Sequence, residues 1–194
     1  MPKPPLMKQL DWQAIYTSGT DYKTWLDGAE NPDHKAKMLE NYDQTVVLES
    51  EWAALKNLAA NVHIVVIAED WCGDVVRNVP ALEKLIAGSG TVSTRYITRE
   101  QHPEVFIRFL TNGGEAIPKM IFLSKDWVET GNWGPMPHAL REHIARGKAA
   151  GDVAASRKIT GLLYKADSGL RDVVKELLQA IDVAATTTIT LPAE

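Results

Sequence analysis

The middle of the chain has the clearest hydrophobic pattern. Val62–Ala68 is a nearly continuous run of β-branched side chains, which is typical of a strand buried on both faces of a sheet. Alternating positions over Thr91–Thr98 predict a second strand, and the apolar run Met120–Leu123 predicts a third. We expect a fourth strand within Asp126–Asn132. These segments indicate one small sheet.

Helical periodicity separates the strands. Apolar positions recur at helical spacing from Val75 to Ile86, with Pro80 inside the segment. A second helix is predicted to begin at His102-Pro103 and to end before Asn112. The order strand–helix–strand–helix–strand–strand predicts an α/β fold whose sheet has parallel and antiparallel parts.

Helical patterns also flank the sheet. Three or four short helices are predicted between Asp11 and Ala60, one of them beginning at Asn31-Pro32. Ser168 is placed to cap the last of three helices that follow the sheet. Those three helices are predicted over Leu140–Arg146, Ala155–Tyr164 and Leu170–Ile181.

A length of 194 residues fits one domain with extensions. We expect residues 11–183 to form this single domain. Residues 1–10, with three prolines in the first five positions, are predicted to be a flexible arm, and residues 184–194 a tail. Within the domain we expect a helical extension over 11–60, a core over 61–135 and C-terminal helices over 136–183.

Composition and charge exclude several classes of function. With 21 basic and 25 acidic residues, the net charge is −4, so we expect neither nucleic-acid binding nor binding to a membrane surface. The longest apolar run falls far short of the roughly 20 residues of a membrane span. Without a secretory signal pattern, we expect a cytoplasmic protein. The scattered histidines predict no metal site, and the lack of a phosphate-binding or dinucleotide motif predicts no cofactor.

Cys72 is the only cysteine, which excludes an intramolecular disulfide and a cysteine-based zinc site. It follows the first predicted strand and opens a helix, where unpaired backbone N–H groups favour the thiolate. Asp70 and Asp74 are expected to raise the pKa of the thiol, whereas Arg77 and Lys119 are expected to lower it. An inert, buried cysteine is the alternative interpretation.

Three segments, in this order and spacing, resemble one family. The chain is similar to the bacterial thioredoxin-like family with helical extensions, whose turn reads Trp-Cys-Gly-Asp-Cys and is followed by Asn-Val-Pro. The resemblance extends from Asp11 to Ile181 and implies a thioredoxin-like fold, a central mixed sheet flanked by helices, with helical extensions at both ends. The three segments are Trp71-Cys72-Gly73-Asp74-Val75 with Asn78-Val79-Pro80, Thr111–Lys119 with Ile117-Pro118, and Trp133-Gly134-Pro135-Met136-Pro137.

The resemblance also implies a site. Cys72 would be the nucleophile, and a cis peptide bond before Pro118 would place the Ile117 backbone beside it, where extended substrate backbone pairs. Trp71 is expected to be partly exposed as a docking face. Lys119 is expected either to contact an anionic ligand or to be solvated. The implied substrate-binding residues are Trp71, Gly73, Asp74, Val75, Ile117 and Pro118.

Two positions depart from the family pattern. Val75 stands where the family has its second cysteine, so the chain lacks the thiol that resolves a mixed disulfide. Val66 stands where ordinary thioredoxins keep a buried acid. We therefore expect no dithiol reductase.

Three functional hypotheses follow. The first is a monothiol thiol–disulfide oxidoreductase, in which Cys72 exchanges with a protein or with a small thiol such as glutathione, and a second thiol resolves the product. The second is a redox-inactive binding module that holds a peptide or client protein in the same groove. In the third, Cys72 links two copies of the chain, and the oligomeric state stays open.

Overall fold

The computed structural model describes residue 3 and residues 6–186. Within them, four strands form one mixed sheet in the order β2-β1-β3-β4. The central strand β1 is parallel to β2 and antiparallel to β3, which is antiparallel to β4. This arrangement confirms the predicted α/β fold with a mixed sheet flanked by helices. The strands are β1 (Val62–Ile67), β2 (Val92–Ile97), β3 (Lys119–Leu123) and β4 (Glu129–Trp133).

The continuous apolar run is explained by the position of β1 between two neighbours. All of its residues except the half-buried His63 are buried. The register pairs Ile67 with Lys119, so the end of β1 lies next to the start of β3. The segment that follows β1 therefore lies next to the segment that precedes β3. The candidate site lies where these two segments meet.

Nine α-helices lie in the described part of the chain. Four precede the sheet, two alternate with its first strands, and three follow β4. α3 and α9 pack on α5, and α9 also contacts β3 and β4. The helices are α1 (Trp12–Ser18), α2 (Tyr22–Asp27), α3 (Pro32–Gln44), α4 (Glu49–Lys56), α5 (Gly73–Ile86), α6 (Pro103–Phe106), α7 (His138–Ala149), α8 (Val153–Ala166) and α9 (Arg171–Ala185).

The two capping predictions have different outcomes. The Asn31 side chain accepts hydrogen bonds from the first turn of α3, as predicted. Ser168 does not cap α9, because Leu170 is the N-cap residue, and the Asp167 carboxylate accepts from the N–H of Arg171 at 2.8 Å. Asp167 lies one residue before Ser168, and its longer side chain reaches the free N–H groups at the start of that helix.

An ion pair joins the two helical extensions. The Arg171 guanidinium at the start of α9 donates to the Glu51 carboxylate in α4 at 2.8 Å, and to the Val46 carbonyl at 2.7 Å. The pair is largely buried, with side-chain exposures of 22% and 11%. The hydrogen bond from Arg171 lowers the pKa of Glu51. This contact fixes segments that are far apart in sequence.

The ends of the chain limit what is described of the predicted arm and tail. α9 continues to Ala185, two residues past the predicted end of the domain. Most of the predicted tail, residues 187–194, lies outside the described residues, as do residues 1, 2, 4 and 5 of the predicted arm. No helix among the described residues is long and apolar enough to cross a bilayer.

Candidate functional site

The candidate site begins where β1 ends. Cys72 is the N-cap residue of α5, as predicted, and its N–H donates to the Glu69 carbonyl at 3.2 Å, which closes the turn. The carbonyl of Cys72 accepts the first helical hydrogen bond, from Val76 at 3.0 Å. The side chain is half-buried, so the thiol lies in a groove rather than on an open surface.

The segment before β3 meets the thiol directly. Cys72 Sγ lies 3.3 Å from the Ile117 carbonyl oxygen, to which it donates. The Ile117–Pro118 peptide bond is cis, as predicted, and both residues are buried. The sequence resemblance therefore correctly placed Cys72 next to Ile117 and Pro118. The thiol donates its hydrogen bond to the Ile117 carbonyl, the group that an extended ligand would otherwise contact.

The pKa of the Cys72 thiol is raised, which decides a balance that the sequence left open. Burial is the largest cause, and it outweighs the opposite effect of the backbone N–H groups of Val75 and Asp74 at the helix N-terminus. The carboxylates of Asp74 and Glu69 raise the pKa further. The helix N-terminus favours the thiolate, as expected, but the thiol is mostly protonated at neutral pH.

Asp70 has a structural task. Its carboxylate accepts from the N–H of Glu30 at 2.7 Å and from that of Asn31 at 3.2 Å. His34 Nδ1 donates to the Asp70 carbonyl at 2.7 Å. The aspartate thus connects the α2–α3 loop to the cysteine turn, a link that local sequence patterns do not reveal.

Trp71 is partly exposed, as predicted, with 57% of its surface accessible. The Arg99 guanidinium lies 5.2 Å from the centre of its ring, close enough for a cation–π interaction. Arg99 also pairs with Glu69 and Glu115, each at 3.0 Å. This network holds the tryptophan ring beside the cysteine turn, and its role in docking stays a prediction.

The remaining predicted site residues surround the thiol from α5. Gly73 is exposed at the first helical position, and Asp74 is half-buried beside it. Val75 is fully buried, so the position of the missing second cysteine is closed to solvent. Val66 is likewise buried within β1.

A second cis peptide bond, Gly134–Pro135, lies against the first. Gly134 has φ of 117°, and a Cβ atom there would lie 2.1 Å from the Pro118 carbonyl oxygen. The Gly134 carbonyl accepts from Lys119 Nζ at 2.9 Å. Only glycine permits this close approach, which supports the backbone on which the thiol rests.

Lys119 differs from both expectations for it. The residue is buried, with 3% of its surface accessible, so it is neither solvated nor placed to contact a ligand. Burial, followed by repulsion from Arg141, lowers the pKa of its ammonium group to about 8. The lysine satisfies a carbonyl at the turn after β4, and its place next to a proline in sequence gave no sign of this.

Asn78 is a site residue that sequence reasoning missed. It is fully buried in α5, and its amide donates to the Pro135 carbonyl at 2.9 Å and to the Tyr164 hydroxyl at 3.0 Å. The amide thus connects α5 to the turn after β4 and to α8. The family-like Asn-Val-Pro sequence was the available signal.

A cavity of about 610 Å³ opens beside the thiol. Its walls come from the start of α5, the loop over residues 111–116, the turn at Pro135-Met136, and the helices α7 and α8. α8 is attached through Tyr164, whose ring also lies 4.2 Å below the Arg77 guanidinium. The contribution of α7 and α8 to the site was not predicted, because they are remote from Cys72 in sequence.

The described residues hold no group of three or more His, Cys, Asp or Glu side chains arranged to bind a metal ion. The polar groups that act on the thiol are instead the Ile117 carbonyl, main-chain N–H groups and two carboxylates. The site as built offers one thiol, a backbone carbonyl and a cavity.

Comparisons with known proteins agree with this architecture. A protein of unknown function from Pseudomonas aeruginosa superposes with a TM-score of 0.69 at 16% identity, over 90% of this chain and 98% of that one. An HIV epitope-scaffold superposes with a TM-score of 0.68 at 13% identity, over 89% of this chain and 98% of that one. No curated protein matches the chain.

Family membership rests on a separate comparison. At such low identity the two structures show a shared fold alone. A family model described as thioredoxin matches residues 19–151, which is more than half of the chain and includes the cysteine turn, both cis-proline segments and β1 to β4. The chain therefore belongs to the thioredoxin family that this model describes.

Proposed function

We propose that the chain is a monothiol thiol–disulfide oxidoreductase that acts through Cys72. The observation that carries the proposal is the position of Cys72 Sγ, 3.3 Å from the Ile117 carbonyl and on the wall of the cavity. A disulfide docked there reaches the sulfur while its backbone lies along the Ile117–Pro118 segment. Gly73 and Asp74 line the cavity and contact the docked molecule, and Trp71, exposed next to Cys72 in the turn, provides a docking face outside it.

The reaction follows ordinary thiol–disulfide exchange. The Cys72 thiolate attacks one sulfur of a substrate disulfide, the substrate S–S bond breaks, and the departing sulfur leaves as a thiolate that takes a proton from water. Because Val75 supplies no second thiol, an external thiolate attacks the mixed disulfide. That attack releases a new disulfide and returns Cys72 to its reduced state.

The environment of the thiol sets the expected rate. A raised pKa leaves little thiolate at neutral pH, although each thiolate that forms is a stronger nucleophile. Exchange is therefore slow at neutral pH and accelerates as the pH rises. A lone reduced thiol suits the reducing conditions of the cytoplasm, where we place this activity.

The test is adduct formation with glutathione disulfide, followed by intact-protein mass spectrometry. The folded protein is expected to gain one glutathione, and added reduced glutathione is expected to remove it. Cys72→Ser, the matched control, is expected to gain none. If the folded protein gains no adduct while the denatured protein does, the oxidoreductase proposal is wrong.

A second candidate function is a redox-inactive binding module for a peptide or client protein. It is favoured by the raised pKa of the thiol and by the missing resolving cysteine. In this function the groove holds its partner without covalent chemistry, so Cys72→Ser keeps full binding. The adduct experiment separates the two functions, because only the oxidoreductase needs a reactive thiol in the folded state.

A further inference from the structure

The cavity beside Cys72 is lined by four cationic side chains from three helices. Arg77 comes from α5, Arg141 and Lys148 from α7, and Arg157 from α8. These residues are spread over 81 positions of the sequence, from 77 to 157 inclusive. The fold brings all four side chains to the walls of one cavity.

None of the four cations has a carboxylate within 4.0 Å in the described part of the chain. The Arg77 guanidinium lies over the ring of Tyr164. Arg141 Nε is buried without a hydrogen-bond partner among the described residues. Buried donors are normally satisfied, so the Arg141 guanidinium, which lines the cavity, keeps unused donor capacity.

Two acids line the cavity, and they offset these charges only in part. The Glu115 carboxylate is engaged by Arg99 at 3.0 Å and is mostly exposed. Asp74 is the other acid, and burial raises the pKa of its carboxyl despite the attraction of Arg77 and Arg157. The cavity is thus locally positive in a chain whose net charge is −4, and such a local field concentrates anions.

The shape of the cavity limits the size of its ligand. A volume of about 610 Å³ lies within the range typical of small-molecule sites. Apolar surface comes from Met136, Ile144, Val153 and the Tyr164 ring, which line the same cavity as the cations and the thiol. The space suits a compact molecule with a short apolar part and charged ends.

We infer that this cavity binds a small thiol or disulfide carrying two or more carboxylate or phosphate groups, whose sulfur lies at Cys72 and whose anionic groups contact Arg77, Arg141, Lys148 and Arg157. The sulfur chemistry in this assignment rests on the proposed function, whereas the anion recognition does not. Three of the four cations come from α7 and α8, which the sequence resemblance did not connect with the site.

Binding without chemistry tests the anion recognition. In Cys72→Ser, calorimetry with glutathione disulfide is expected to show binding that weakens as salt is added, since the attraction is electrostatic. Arg157→Gln in the same background is expected to weaken it by about threefold to tenfold. The matched control is Arg146→Gln, an exposed arginine outside the cavity, and it is expected to change nothing.

Cystamine, a disulfide with two ammonium groups, is the control ligand whose charge is opposite to that of glutathione disulfide. It is expected not to bind Cys72→Ser measurably. The inference is overturned if glutathione disulfide does not bind, if cystamine binds as tightly, or if Arg157→Gln and Arg146→Gln have equal effects.

Reaction with the intact thiol distinguishes failure of this inference from failure of the proposed function. The folded wild-type protein is expected to react faster with glutathione disulfide than with the uncharged 2-hydroxyethyl disulfide, and Arg157→Gln is expected to reduce that preference. Equal rates contradict the anion recognition but leave the oxidoreductase intact. No reaction with either disulfide, together with the expected binding to Cys72→Ser, contradicts the oxidoreductase alone.

Discussion

At the Cys72 thiol, main-chain N–H groups and burial act in opposite directions. The N–H groups of Asp74 and Val75 stabilise the thiolate, while burial and the carboxylates of Asp74 and Glu69 disfavour it more strongly. Asp74 therefore acts in both directions. Its backbone N–H stabilises the thiolate, and its carboxylate destabilises the thiolate. The side-chain effect can be removed without changing the backbone.

Asp74→Asn is expected to lower the pKa of Cys72, because it removes a negative charge that opposes the thiolate. At about pH 8, alkylation of the folded protein by iodoacetamide should become about threefold faster. Asp43→Asn, an exposed acid on α3, is the matched control and should leave the rate unchanged. An equal or slower rate in Asp74→Asn would show that the carboxylate does not act on the thiol.

Val75→Cys is expected to give a dithiol that closes to a disulfide with Cys72. Val75 lies three residues after Cys72 in α5, which places it one helical turn from the thiol. The measurement is the loss of both free thiols on mild oxidation, together with a gain of insulin reduction. Val76→Cys is the matched control, since Val76 packs with Leu26 and Met38 in a separate cluster, and it should gain neither property.

At the scale of elements, the turn after β4 supports the segment before β3. Lys119 donates to the Gly134 carbonyl, Asn78 donates to the Pro135 carbonyl, and Gly134 lies against the Pro118 carbonyl. The three contacts bring β3, β4 and α5 together behind the thiol. The segment that carries the carbonyl receiving the Cys72 hydrogen bond is thus held by its packing against this turn.

Gly134→Ala is expected to lower the free energy of unfolding by at least about 2 kcal/mol. The new Cβ would lie 2.1 Å from the Pro118 carbonyl oxygen, at a residue whose φ is 117°. Urea unfolding provides the measurement. Gly131→Ala, in the preceding strand β4 and with no atom within 4 Å of its Cβ, should change the stability by no more than about 0.5 kcal/mol. Similar losses in both variants would argue against the close approach.

The sequence predicted elements better than it predicted contacts between them. β1 was predictable because a central strand buries nearly every side chain. The buried position of Lys119 was not, because its partner is a carbonyl 15 residues away. The same holds for the cations of α7 and α8, which reach the cavity only through tertiary packing. The contact of Cys72 with Ile117 was predicted from the family resemblance, whereas the cavity walls from α7 and α8 were not.

At the scale of the whole molecule, the helices outside the sheet form the walls of the site and connect the ends of the domain. α7 and α8 complete the cavity. Gly147 in α7 faces Ser156 in α8, where a Cβ would lie 1.8 Å from the serine hydroxyl oxygen. The Arg171–Glu51 pair joins α9 to α4. The helices before and after the sheet therefore contribute both to the cavity and to the connection between the two ends of the domain.

Glu51→Gln is expected to lower the free energy of unfolding at neutral pH by about 2 kcal/mol. The folded-state pKa of Glu51 is lowered by Arg171, so the stabilisation is present above its ordinary value of about 4.5 and lost as the pH falls through the lowered value. The difference from wild type should therefore shrink in acid. Urea unfolding at about pH 7 and at about pH 3 measures it.

The control for this change is Glu49→Gln, an exposed acid in the same helix. It should cost less than about 0.5 kcal/mol at neutral pH. A pH-independent loss in Glu51→Gln would contradict the stabilisation by a charged pair.

The most direct test of the account is the rate of Cys72 alkylation across pH, in the folded protein and in denaturant. Burial and two nearby carboxylates predict a folded-state midpoint above the ordinary cysteine value of about 8.5. The position of the thiol on the cavity wall predicts complete modification of the folded protein once the pH exceeds that midpoint. A midpoint well below the denatured value, or protection at every pH until denaturant is added, would contradict an accessible thiol that is protonated at neutral pH.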